Sequence, residues 1–335
     1  MKTSSFDFDL PEELIAQIPY AERDKCRLMV LHGNGAIEHR NFPDIINYLS
    51  RGDLLILNDT RVLPARLTGY KHSGYILEIL LVREIETNKW EILSKGSYTG
   101  RLKISGQISA YIYNGKTAVF TCDGNIKNKL WKYGEMPIPP YIKRKATASD
   151  RDWYQTVFAK KEGSIAAPTA GLHFSRQLIR EINDIGVKIR YITLHIGTGT
   201  FLPIKTDEVE QHRMHSEYFE ISSSLLNEIE ENIGSGKRVL AVGTTATRAI
   251  EGFLSDKERY NKGNGGFSGY TDVFIYPGYD FKAVNALLTN FHLPNSTPIL
   301  LSSAMAGREN LLKGYEEAVR MKYRFFSYGD AMLIL

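Results

Sequence analysis

The chain has 335 residues, 43% of them hydrophobic and 24% charged, and a net charge of +4. These are values of a packed globular protein and exclude a disordered chain, and the length favours two domains. No run of about eighteen apolar residues occurs, so no membrane span is expected, and Met1–Asp7 shows no secretory leader pattern.

The first 65 residues read as mixed α/β. Phe6, Phe8 and Leu10 alternate with polar residues as in a strand, and Pro11–Ile15 opens a short helix. Leu28–Leu31 and Asp53–Leu57 read as buried strands with a helix near Asp44–Leu49 between them. From about Leu67 to Ile138 the texture changes to short β-type runs: Tyr75–Ile85, Trp90–Lys95, Arg101–Ile104, Ile108–Tyr113 and Thr117–Thr121. Asn114-Gly115 is a strong hairpin signal. The stretch reads as a small antiparallel barrel or sandwich inserted in a larger domain, with Pro137–Pro140 as a stiff return linker.

Beyond Trp153 helix and strand alternate. Ser175 caps a helix that ends near Gly186, and the strand Val187–Leu194 follows. A helix near Ser224–Asn232 leads to the strand Arg238–Val242 and the helix Thr244–Leu254. Asp256–Gly269 reads as a mobile loop, Thr271–Tyr276 as a strand and Ala283–Leu288 as a short helix. Helices Pro298–Ala306 and Glu309–Lys322 precede a closing strand, Ala331–Leu335.

Charge is divided unevenly. Residues 66–145 hold 14 basic and 6 acidic side chains, against 28 and 32 in the remainder. A module of that balance either faces a polyanion or carries a solvated basic surface. Cys26 and Cys122 are the only cysteines, too few for a disulfide framework or an all-cysteine zinc site, and a reducing cytoplasm fits them.

Polar, small-residue clusters sit where strands meet loops: Asn58–Arg66, Ala166–Phe174, Leu194–Phe201, Val242–Arg248 and Thr289–Pro294, with His212–Glu217 as a further patch. In an open α/β sheet, ligands bind at such places. His195–Phe201 superficially resembles a dinucleotide-type glycine loop, but a third glycine is absent and Pro203 stands where the long helix should begin. Its alternative is a tight turn with positive φ at Gly197 or Gly199. Gly243-Thr244-Thr245 precedes a helix and could hold a carboxylate on free N–H groups, or Thr244 or Thr245 could simply cap the helix. His212-x-x-His215-x-Glu217 offers no complete ligand shell, so no metal is expected.

These residues carry a resemblance. The segments APTAGLHF, MHSEY, VGTT, TNFHLP and YRFFSYGDAM, with GDLLILNDTRVLPARL and TLHIGTGTFLPI, resemble those of the S-adenosylmethionine:tRNA ribosyltransferase-isomerase family over nearly the whole chain. The resemblance implies an α/β fold: a large mixed α/β domain (residues 1–66 and 141–335) with an inserted small antiparallel β-barrel domain (67–140). It implies transfer and isomerisation of the ribosyl part of S-adenosylmethionine onto 7-aminomethyl-7-deazaguanine at the tRNA wobble position. The products are epoxyqueuosine-tRNA, adenine and methionine. S-adenosylmethionine is then a consumed substrate, with no cofactor and no metal; a cytoplasmic location and a monomer are expected. A non-catalytic tRNA-binding protein and a tRNA methyltransferase are the rival readings.

Such a reaction needs a base for the C–H bonds beside the sulfonium, a hydrogen bond to departing adenine and a neutral amine nucleophile. His173, His195, His215 and His292 are the candidate proton carriers, with Glu217 and Asp330 as carboxylate alternatives. Asp59, Arg61, Thr169, Gly171, Gly197, Thr200, Thr244, Thr245, Arg248 and Asn290 are expected to bind S-adenosylmethionine or the deazaguanine. Each charged candidate also has a plain structural reading: Asp59 fixing a turn with Thr60, Glu217 pairing with Arg213, Asp330 capping the turn at Gly329, and Arg61 and Arg248 in ion pairs. Lys127, Lys129, Lys132, Lys143, Arg144 and Lys145 crowd the end of the barrel and the return linker, and are expected to meet the phosphates of the anticodon loop.

Overall fold

A computed structural model describes residues 1–197, 199, 204–263 and 265–335. In chain order, β1 (Arg27–Leu31), β2 (Ile37–Asn41), β3 (Leu54–Asn58) and β4 (Thr60–Val62) come first. The strands β5 (Arg66–Lys71), β6 (Ile76–Glu86), β7 (Lys89–Ser94), β8 (Gly100–Lys103), β9 (Ser109–Tyr113) and β10 (Thr117–Thr121) then close a six-stranded antiparallel barrel. Short helices α1 (Leu130–Tyr133) and α2 (Asp150–Trp153), strand β11 (Lys161–Ser164) and helix α3 (Arg176–Asp184) lead back into the larger domain. There follow β12 (Lys188–Leu194), β13 (Glu217–Ser222), α4 (Ser223–Gly234), β14 (Val239–Val242) and α5 (Thr244–Ser255). The hairpin β15 (Asn261–Gly263) and β16 (Gly266–Thr271), strand β17 (Ala286–Asn290), helices α6 (Thr297–Ala306) and α7 (Arg308–Arg320), and β18 (Ala331–Ile334) complete the chain.

Ten strands form one mixed sheet in the order β15-β16-β13-β12-β3-β14-β17-β18-β1-β2. Its centre is wholly buried, every residue of β3, β14, β17 and β18 being out of solvent; β3, β14 and β17 run parallel, and β18 runs antiparallel to β17. Strands covered on both faces need continuous apolar runs, which Leu54–Leu57, Val239–Val242 and Ala331–Ile334 supply. Helices α6 and α7 cover one face through Ile299, Leu300, Leu311 and Tyr315, and Phe174, Leu178 and Ile182 pack on the other. The barrel has its own core of Leu67, Ile79, Leu81, Ile92, Leu102, Ile112 and Phe120. At its β9–β10 hairpin Asn114 and Gly115 take φ of 49° and 62°, the left-handed pair that a type I′ turn requires.

Six expectations are corrected. Ala283–Leu288 is no helix: Ala286–Asn290 is a central strand between β14 and β18, and its short apolar run suits either state. The segment 256–269 is largely the β15–β16 hairpin, bonded to β13 through six residue pairs from Glu217↔Thr271 to Ser222↔Gly266. The strand expected at Thr271–Tyr276 stops at Thr271. Phe6 and Phe8 alternate without a strand, because Thr3–Phe6 coils into a 3₁₀ turn that buries Phe6. The helices expected at Pro11–Ile15 and Asp44–Leu49 are likewise 3₁₀ turns, Glu12–Leu14 and Phe42–Tyr48.

Candidate active site

Strands β12, β3, β14 and β17 lie side by side in parallel and end at one edge of the sheet. Their C-terminal ends therefore bring together clusters far apart in sequence. Asn58 ends β3, His195 follows β12, Gly243 and Thr244 follow β14, and Asn290 ends β17. Buried Asn58 ties β3 to β12 and to the first turn of α5. It accepts from Leu194 N–H at 3.0 Å and donates to the Leu194 carbonyl at 3.0 Å and to Thr245 Oγ1 at 3.2 Å.

Two cavities open at this edge. The smaller, about 940 Å³ with its mouth included, is lined by Thr169, Gly243, Thr244, Thr245, Asn290 and His292, with Tyr141, Phe326 and Ser327 closing it. Such a volume suits a small molecule (roughly 300–1,000 Å³ is usual). Helix α5 points its N-terminus here. The cap position is Gly243, at φ 89°, so neither Thr244 nor Thr245 caps the helix and no side chain occupies its first N–H groups. Those groups and the helix dipole attract an anion.

The larger cavity, about 1300 Å³ with its mouth, is the cleft between barrel and large domain. Arg83, Glu84, Trp90 and Glu91 face it from β6 and β7, and His195, Gly197, His215, Glu217 and Tyr218 from the other side. Ile196 lines both cavities.

The histidines part company. His195 lies in the cleft, its Nδ1 2.8 Å from Thr60 Oγ1 and its ring stacked on Tyr218 at 5.8 Å. Burial lowers it to about 4, so it is neutral near pH 7 and can only accept a proton or share a hydrogen bond. His215 is exposed at the same cleft. His292 lines the small cavity, bonds Thr289 Oγ1 through Nε2 at 2.7 Å, and is lowered by burial to about 3. His173 is 4% exposed. Its Nε2 meets Asn290 at 3.0 Å and its Nδ1 meets Cys26 Sγ at 3.2 Å.

The carboxylates do not all belong here. Glu217 accepts from Gly197 N–H at 3.0 Å and pairs with Arg248, not Arg213. Asp330 is fully buried elsewhere, taking the N–H groups of Arg27 and Arg324 and the Tyr20 hydroxyl rather than capping Gly329. Asp59 accepts from Thr193 Oγ1 at 2.6 Å in a separate hollow with Lys161 and Glu220, and does not bond Thr60; burial raises its carboxyl. Arg61 spans Glu162 and the Trp131 ring at the rim of the cleft.

Gly197 does not have positive φ; Gly199 is needed because a Cβ there would lie 2.7 Å from His215 Cβ. Gly171 packs against Phe158 and Thr156 beside the small cavity, and Thr200 falls outside the described residues. Of the basic group, Lys127 lines the cleft. Lys143 pairs with Glu12, and Arg144 grips buried Asp150 through two bonds of 2.7 Å. Burial alone would raise the Asp150 carboxyl, but Arg144 holds it below the usual range. Asn58, Tyr141, Phe326 and Trp90 escaped the sequence reading. Asn58 opens a noted cluster and Phe326 lies in a noted segment, yet neither bears chemistry that singles it out.

Comparison with known proteins gives concordant results. A family model described as queuosine biosynthesis protein matches residues 3–334. Curated relatives named S-adenosylmethionine:tRNA ribosyltransferase-isomerase include that of Thermodesulfovibrio yellowstonii, 50% identical, and that of Halothermothrix orenii, 49% identical, each with both chains covered completely. The crystal structure of an S-adenosylmethionine tRNA ribosyltransferase from Thermotoga maritima is 34% identical, with a TM-score of 0.58 over 99% of this chain and 100% of that one.

Proposed function

The chain belongs to the queuosine biosynthesis family, and from that premise we propose how its two cavities divide the work. It is a transferase-isomerase of the S-adenosylmethionine:tRNA type, acting in tRNA modification. S-adenosylmethionine occupies the small cavity as a consumed ribosyl donor, its carboxylate against the open N-terminus of α5. The wobble base, carrying its aminomethyl group, enters the cleft below the barrel. The observation that carries this reading is the shared wall at Ile196, which sets a small-molecule cavity with an anion-binding helix end beside a wide cleft.

The division assigns roles. His215 faces both solvent and cleft, so it can take a proton from the substrate and exchange it with water. His195, neutral and oriented by Thr60, serves as a hydrogen-bond acceptor or base toward the aminomethyl group. His292 is a neutral hydrogen-bonding group in the small cavity. Glu217, already bound to Arg248, positions the Gly197 backbone. The anticodon loop presents its base unpaired, so its extrusion into the cleft costs less than from a duplex.

Two variants test the division. Thr244→Val should weaken S-adenosylmethionine binding by about ten-fold through loss of one polar contact. His215→Ala should leave that binding intact. Unchanged affinity in the first, or loss of affinity in the second, contradicts the assignment.

A further inference from the structure

Asn290 lines the small cavity and is 2% exposed. Its amino group donates to the Phe326 carbonyl at 3.1 Å and meets His173 Nε2 at 3.0 Å. A carbonyl only accepts, so the amide must turn its amino side toward Phe326. The same amino group then faces His173 Nε2, which must be the bare nitrogen. The imidazole proton therefore lies on Nδ1, facing Cys26 Sγ at 3.2 Å.

Phe326 makes this arrangement rigid. Its φ of 71° is rare for an aromatic residue and is held by its N–H bond to the Phe291 carbonyl at 3.0 Å. The turn aims its own carbonyl at Asn290 and sets its ring against Tyr141 at 4.5 Å. Asn290 Oδ1 is consequently turned the other way. It is buried and has no hydrogen-bond partner among the described residues. A buried carbonyl oxygen held without a partner asks for an N–H donor from a ligand.

We propose that Asn290 Oδ1 recognises an N–H donor of bound S-adenosylmethionine, and that His173 is a positioning residue that orients this amide and carries no proton in the reaction. The aromatic pair Tyr141–Phe326 in the same cavity makes the adenine amine the favoured donor over the methionine ammonium. The burial of His173, which lowers its pKa and keeps its imidazole neutral, agrees with this role. The inference rests on the placement of S-adenosylmethionine in this cavity.

The test has two arms. Nitrogen NMR of the free, histidine-labelled protein should show His173 as the Nδ1–H tautomer, untitrated from pH 8 to about 5. The Nε2–H form, or titration near the ordinary imidazole value, overturns the positioning role whatever binds in the cavity. Calorimetry with Asn290→Ala should show about ten-fold weaker S-adenosylmethionine binding. The 6-oxo analogue, lacking the adenine amine, should bind wild type and Asn290→Ala alike. An analogue lacking the ammonium that behaves so instead overturns the adenine assignment. His173→Ala should raise KM, His173→Gln should restore it, and both should keep the wild-type pH dependence of kcat. Loss of one limb of that profile makes His173 a proton carrier and overturns the proposal. Unchanged affinity in Asn290→Ala overturns the recognition role. If Thr244→Val is then also silent, the placement of S-adenosylmethionine falls with it; if Thr244→Val still weakens binding, only Asn290 is reassigned.

Discussion

The Glu217 carboxylate on β13 and the Arg248 guanidinium on α5 form a buried ion pair, 2% and 5% exposed, beside the loop that separates the two cavities. Arg248 also donates to the Val273 carbonyl at 3.1 Å, so one side chain ties the antiparallel edge of the sheet to the helix whose N-terminus faces the small cavity. Breaking a buried pair strands a charge. Arg248→Met should destabilise the protein by about 3–5 kcal/mol, and adding Glu217→Leu should recover much of that loss. Urea unfolding of the single and double variants measures both; a harmless single variant contradicts the account.

Buried histidines predict how stability depends on pH. Burial lowers His173 and His292 to about 3 and His195 to about 4, from an ordinary 6.5. The unfolded chain therefore binds protons that the native state refuses. The stability is fully present above about pH 6.5 and is lost as pH falls toward the folded values, with a limiting slope near 1.4 kcal/mol per pH unit for each group. His195 and His292 keep some solvent contact, so His173 carries the clearest share. Urea unfolding at pH 7, 6 and 5 should show a declining stability, and His173→Gln should flatten the decline by about one proton. An unchanged slope in that variant contradicts the burial argument.

Legibility from sequence followed how local the physics was. Asn114-Gly115 dictates a turn by itself, and five of the six barrel strands fall within a residue of their observed ends, whereas β5 (Arg66–Lys71) is not legible as a separate run. Ala283–Leu288 reads as helix because its apolar run has no strand period, and only the neighbours β14 and β18 decide that Ala286–Asn290 is a strand. The histidine clusters were visible, but their grouping was not. His195 and His215 share the cleft because β12 and β13 pair, whereas His173 retreats behind Asn290. Tyr141 and Phe326 drew no notice, since a left-handed phenylalanine leaves no mark in composition.

Among the four histidines, His215 should matter most for turnover. His215→Ala is expected to lower kcat by about two orders of magnitude, with S-adenosylmethionine affinity unchanged. Steady-state kinetics beside calorimetry separates the two effects. Near-normal turnover would transfer the proton work to His195.

The basic group should act through its barrel end. Lys127→Ala/Lys129→Ala/Lys132→Ala should weaken tRNA binding and reduce its salt slope by up to about two, leaving S-adenosylmethionine affinity intact. Arg144→Ala should instead lower stability, because it strips buried Asp150 of its bidentate partner. Filter binding across a salt series distinguishes them. An unaltered slope in the triple variant would direct attention to Lys71, Arg83 and Arg101.

The central claim is that S-adenosylmethionine is consumed as a ribosyl donor. The direct measurement is mass-spectrometric product analysis with purified protein, S-adenosylmethionine labelled separately in methyl and ribose, and tRNA bearing the aminomethyl-deazaguanine. The account predicts ribose label on the tRNA, with free adenine and methionine released in equal amounts, and activity retained in the presence of EDTA. Methyl label on the tRNA with S-adenosylhomocysteine as by-product would contradict it, as would tRNA binding with no product at all.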